Sequence, residues 1–106
     1  MRARLMQDIL HLEGVEWVAL VGPDALAIDF EPKEQQIDAA VAMWAGLDEL
    51  ADEMPARMLI RTEKSVMLSQ RVDEDRMLLL KADLTSNIGS LRQALQDSAE
   101  RVLDLS

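Results

Sequence analysis

Residues 15–21 read Val-Glu-Trp-Val-Ala-Leu-Val, and this segment constrains the fold more than any other. Its β-branched and aromatic content marks a strand. Strand side chains alternate between faces. Here Val15, Trp17, Ala19 and Val21 make one face apolar while Val18 and Leu20 do the same for the other. Such a strand belongs inside a sheet that has helices on both sides. The remainder of the chain must therefore supply two helical layers.

The flanking segments provide them. Met1 to Glu13 carries Leu5, Met6, Ile9, Leu10 and Leu12 at helical spacing and stops at Gly14. After the strand, Gly22-Pro23-Asp24 is turn chemistry, and Leu26 to Phe30 resumes an extended pattern, which makes a hairpin. Glu31-Pro32-Lys33-Glu34 breaks the chain before a long helix over Gln35 to Met54, with Ile37, Val41, Trp44, Leu47, Ala51 and Met54 on one stripe and Pro55 closing it. Three short apolar runs follow, Met58–Ile60, Val66–Leu68 and Met77–Leu80, separated by polar segments at the spacing of an antiparallel meander. Ser86-Asn87 then offers an N-cap for a final helix striped by Ile88, Leu91, Leu95, Ala99 and Val102. The expected order is αββαβββα: an α+β fold in which a five-stranded antiparallel sheet lies between helices, with residues 1–106 forming one domain.

Charge and composition narrow the function. Eleven bases against twenty acids give a formal charge of -9, which repels nucleic acid and anionic lipid. The absence of cysteine removes disulfides, thiol catalysis and the common zinc sites. The longest uncharged run, Ala39 to Leu47, is too short to span a bilayer, and the chain does not open like a signal peptide, so a cytoplasmic location is expected. The acidity is concentrated in the middle helix: residues 31–54 hold seven acids and one base. That face is either simply solvated or a docking surface for a basic partner, with Asp38, Asp48, Glu49 and Asp52 as its candidates.

Reactive residues are scarce. His11 is the only histidine, so neither a histidine metal pair nor a relay can form from imidazoles. The serines lie in no G-x-S-x-G turn, and the glycines at 14, 22, 46 and 89 are too scattered to cradle a phosphate. Asp73-Glu74-Asp75 lacks the frame of a calcium loop and reads as a solvated turn. No catalytic residue, metal site or cofactor is expected.

The middle helix is the most informative element. Beside its core stripe runs a second, through Ala39, Ala42, Met43, Gly46 and Leu50, whereas a helix resting on one sheet needs a single stripe. Either the helix is buried within the monomer or its second face packs on another copy, and five short strands cannot wrap a helix. The run Met58-Leu59-Ile60 points the same way: if it lies at a sheet edge, it is an apolar strand of the kind proteins pair or hide. These residues form the candidate dimer interface.

Leu12-Glu13-Gly14-Val15-Glu16 and Asn87-Ile88-Gly89-Ser90-Leu91-Arg92, in that order and separation, together with the Ala-rich helix around Ile37-Asp38-Ala39-Ala40, resemble the Roadblock/LC7 domains. The likeness covers nearly the whole chain. Two departures stand out: Asp24-Ala25 and Glu74-Asp75 occupy positions where that family usually has Asp-Gly, so both turns are expected to be rebuilt without a left-handed glycine. The resemblance implies dimers in which third strands pair and middle helices lie side by side, and partners among small Ras-like GTPases. One such domain activates the GTPase of gliding-motility polarity without donating an arginine finger; others are dynein light chains or lysosomal scaffolds.

Two functions follow from these expectations. The first is a non-enzymatic homodimer that binds a small Ras-like GTPase and alters its nucleotide cycle. The second is a scaffold or adaptor subunit with no nucleotide cycle. A small enzyme or ligand-binding domain is disfavoured by the scarcity of reactive groups, and a longin or profilin-like arrangement is the neighbouring fold.

Overall fold

The computed structural model describes residues 2–24, 26–50 and 57–105, with the side chains of all of these except residues 2, 3 and 48–50. The order is α1 (Arg2–Leu10), β1 (Val15–Val21), β2 (Ala27–Glu31), α2 (Asp38–Leu50), β3 (Arg57–Arg61), β4 (Ser65–Arg71), β5 (Met77–Asp83) and α3 (Ile88–Asp104). All pairings are antiparallel and the strand order is β2-β1-β5-β4-β3, so β1 is interior and β3 lies at an edge. Among the described residues no helix is long and apolar enough to cross a membrane.

Two cores form, one on each face of the sheet. On the first, Leu5, Met6 and Ile9 of α1 and Leu91, Leu95, Ala99 and Val102 of α3 pack on Val18, Leu20, Val66, Leu68, Leu78 and Leu80. On the second, Ile37 and α2 residues Val41 and Trp44 pack with Trp17, Ala19, Val21, Met67, Met77 and Leu79. Burying side chains of this size stabilises the fold by roughly 1.5–3 kcal/mol each. Two helices thus cover one face and one helix the other.

The structure corrects the sequence expectations in detail. Val15 packs with the α1/α3 core, opposite Trp17, because the register of β1 against β5 shifts between these two residues and reverses the alternation. The first helix stops at Leu10, which leaves Leu12 36% exposed. The middle helix begins at Asp38, after Ile37, and Leu47 is 37% exposed where the stripe had placed it inside. Ala51, Met54 and Pro55, read as its end, lie outside the described residues.

The two segments that carried the family resemblance meet in space. Gly14 has φ +90°, a left-handed conformation that favours glycine, and a Cβ there would collide with Oγ of Ser86. Its carbonyl accepts from the Asp83 amide at 2.8 Å, and Asn87 caps α3 by accepting from the Ser90 amide at 3.0 Å. The β4–β5 turn is closed by the Asp73 side chain. Asp73 Oδ1 accepts from the amides of Asp75 and Arg76, while the Arg76 guanidinium donates to Oδ2 at 2.8 and 3.0 Å. Ala25 of the other altered turn lies outside the described residues.

The Arg76 guanidinium holds the Asp73 carboxyl below its ordinary value, with the Asp75 and Arg76 amides adding to the effect. A depressed folded pKa contributes stability that is complete above the unfolded value of ~3.9 and lost as pH falls through the folded one. Wild type is therefore expected to be more stable than Asp73→Asn near neutral pH, and to lose that advantage progressively in acid. Thermal melts of both proteins across the acid range would check it; a gap that stays constant with pH would contradict it.

Candidate interaction surface

Helix α2 is held by one line of side chains. Val41 is 1% and Trp44 0% exposed, and Ile37 just before the helix is 2% exposed. The indole N–H of Trp44 is buried with no hydrogen-bond partner, so this anchor is apolar. A helix fixed along one line presents its remaining circumference to solvent. Ala39, Ala42, Met43 and Gly46 lie on that remainder and are all exposed, Met43 by 53%. A Cβ added to Gly46 would meet nothing within 4 Å. Of the predicted second stripe, only Leu50 escapes placement, since its side chain lies outside the description.

Strand β3 adds the adjoining edge. It pairs with β4 on one side only, with Leu59 opposite Leu68. Its burial alternates: Met58 and Ile60 are half-buried and pack against the Trp17/Trp44 core, while Arg57, Leu59 and Arg61 are exposed. Thus Met58 and Ile60, two of the three predicted interface residues on this strand, hold α2's side of the sheet together, and Leu59 alone stands open.

The acidic candidates are less concentrated. Asp38 is exposed in the first turn of α2, where a carboxylate favours the positive end of the helix dipole. Asp48 and Glu49 fall in the last turn, at the opposite end; their side chains are not described, and Asp52 lies outside the described residues. His11, also exposed, follows the end of α1. Among the described residues no cluster of three or more His, Asp or Glu is arranged to hold a metal ion.

What sequence reasoning missed is a cleft of about 570 Å³ beside α2, bounded by Gln35, Gln36 and Ala40 on one side and the β3–β4 turn on the other. Its signal is Lys81, which sits in the middle of apolar β5, in register with Trp17 and Met67, where a sheet interior would demand an apolar residue.

The two glycines make contrasting tests. Glycine in the middle of an exposed helix costs ~0.5–1 kcal/mol relative to alanine. Gly46→Ala is therefore expected to raise the stability of the folded chain by about that amount, whereas Gly14→Ala should lower it by ~2 kcal/mol or more through backbone strain and the collision with Ser86. Urea titrations of the two variants would check both signs.

No protein-family model and no curated protein matches this chain. Solved structures do. A Roadblock/LC7 domain from Streptomyces avermitilis superposes with a TM-score of 0.83 at 13% identity, over 96% of this chain and 94% of that one. The gliding protein MglB from Thermus thermophilus gives 0.81 at 16% identity, over 97% and 86%. A profilin, LokiProfilin2 solved in complex with rabbit actin, gives 0.73 at 12%, over 99% and 97%. The order of elements, the five-stranded antiparallel sheet and these superpositions agree: the chain has the fold of the Roadblock/LC7 domains.

Proposed function

We propose that this chain is a non-catalytic regulatory module that acts as a homodimer and binds a small Ras-like GTPase. The observation that carries the reading is the unshared face of α2, with Ala39, Ala42, Met43 and Gly46 turned away from the sheet, in a molecule whose β3 edge is unpaired. Small residues along a helix permit a second helix to approach closely, and an edge strand with an exposed Leu59 is a template for strand pairing. A two-fold through β3 satisfies both at once, joining two sheets into one. The fold likeness to the gliding protein MglB supports the choice of partner class, and a domain without a nucleotide cradle would act by reorganising the GTPase's own catalytic groups.

Dimerisation is tested by solution mass. Wild type is expected near twice 11.9 kDa, and Leu59→Glu near 11.9 kDa, still folded because Leu59 is 38% exposed. Light scattering over a range of concentrations, with circular dichroism as the folding control, reads both; a variant mass equal to wild type removes β3 from the interface.

GTPase binding is tested separately. A purified small Ras-like GTPase is expected to bind wild type in one nucleotide state and not the other, and reversing charge at Asp48 and Asp52 should weaken binding about tenfold and flatten its salt dependence. Binding that ignores the nucleotide would favour a scaffold or adaptor role instead. Unchanged affinity in the reversed variant would take the acidic end of α2 out of the docking surface.

A further inference from the structure

Strand β3 turns its charged residues to the face of the sheet that α2 does not use. Leu59 pairs with Leu68 and Arg61 with Val66, both of them in the core beneath α1 and α3, so Arg57, Leu59 and Arg61 stand on that side. No residue of β3 belongs to that core, and these three are exposed. Among the described residues no acid forms an ion pair with either guanidinium. A chain with twenty acids against eleven bases thus leaves two arginines unpaired on one short edge strand.

Pairing of β3 with its own copy concentrates this charge. An antiparallel two-fold about Leu59 uses the whole strand and sets Arg57 of each chain opposite Arg61 of the other. Opposed residues share a face with Cβ atoms ~4.5–5.5 Å apart, and like charges so placed repel. The joined sheet then carries two arginine pairs, one at each end of the paired strands and about 13 Å apart, with both Leu59 side chains between them. Four guanidiniums without carboxylates flank an apolar centre. A carboxylate placed between the members of a pair accepts from both guanidiniums and removes the repulsion.

We infer that this face of the paired β3 strands is a docking site for an acidic segment of a partner protein, with two carboxylates about 13 Å apart on either side of an apolar side chain. An extended segment Glu-x-Leu-x-Glu has this form, because alternate residues of a strand point the same way. The inference rests on the β3-paired dimer proposed above and adds a second partner, on the sheet face opposite α2. Nucleic acid is a poorer occupant: its phosphates run on past the arginines over chains carrying -9 each, whereas a short acidic segment ends with them.

Fluorescence anisotropy with a labelled peptide Ser-Glu-Thr-Leu-Thr-Glu-Ser tests the site, beside the same peptide with Gln for both Glu and a short single-stranded oligonucleotide. Variants are Arg57→Gln and Arg61→Gln, at exposed positions where the fold is expected to survive, with a thermal melt as control. The Glu peptide should bind wild type more weakly as salt rises, and should lose at least tenfold in affinity in either variant and in its Gln form. Sedimentation supplies a second readout: both variants should dimerise at least as tightly as wild type, because the opposed arginines no longer repel. Weaker dimers in both variants would overturn the opposition of the arginines. A wild-type dimer that binds the Glu and Gln peptides alike, binds neither, or prefers the oligonucleotide overturns the docking site while leaving the strand pairing intact, as does peptide affinity unchanged in both variants. A wild type that stays monomeric at every concentration overturns the pairing and the inference with it.

Discussion

The interaction on which everything else depends is the unequal covering of a sheet that is apolar on both faces. Two helices, α1 and α3, close one face with seven buried side chains, and that half is complete in itself. The other face has the single helix α2, anchored through Ile37, Val41 and Trp44. Because one helix is narrower than five strands, some of that face stays open, at the cleft around Lys81 and along the outer side of α2. The outer side of α2 in the proposed interface follows from this shortage of cover, while Leu59, which faces the α1/α3 side, is open because β3 ends the sheet.

The same shortage explains which parts of the fold are legible. The two-faced pattern of residues 15–21 forces helices onto both sides whatever their order, and the stripe of α3 needs no tertiary information, so both are read directly. Val15 is misplaced by alternation because a register shift against β5 is a property of the pair, and neither strand announces it alone. Leu47 is misplaced for a different reason. Periodicity marks which residues share a helix face but not how wide the supporting surface is, and here the support runs out before that turn.

The candidate surface divides along the same line. Small residues on the outer side of α2 are a local composition signal and are visible. In Met58-Leu59-Ile60 all three residues are apolar, so only the pairing of Leu59 with Leu68, on the α1/α3 side, shows that Met58 and Ile60 turn towards α2. The lysine cleft is the least visible, since Lys64 and Lys81 are separated by most of two strands and become neighbours through the β4–β5 pairing that sets Met67 against Lys81.

Sequence identities of 12–16% beside TM-scores of 0.73–0.83 show that very different sequences reach this fold. A sheet between helices tolerates almost any apolar side chain of suitable volume on its two faces. Its left-handed corner does not: Gly14 is held by φ and by Ser86, beside the Asp83 amide and the Asn87 cap. Function in such a scaffold is then written on the surfaces that packing does not use, which in this chain are the outer side of α2 and the β3 edge. Two copies carrying -9 each repel one another, but that repulsion is screened beyond about a Debye length, ~8–10 Å, so the proposed association depends on apolar contact along Ala39, Ala42, Met43 and Gly46 and on strand pairing at β3 rather than on net charge.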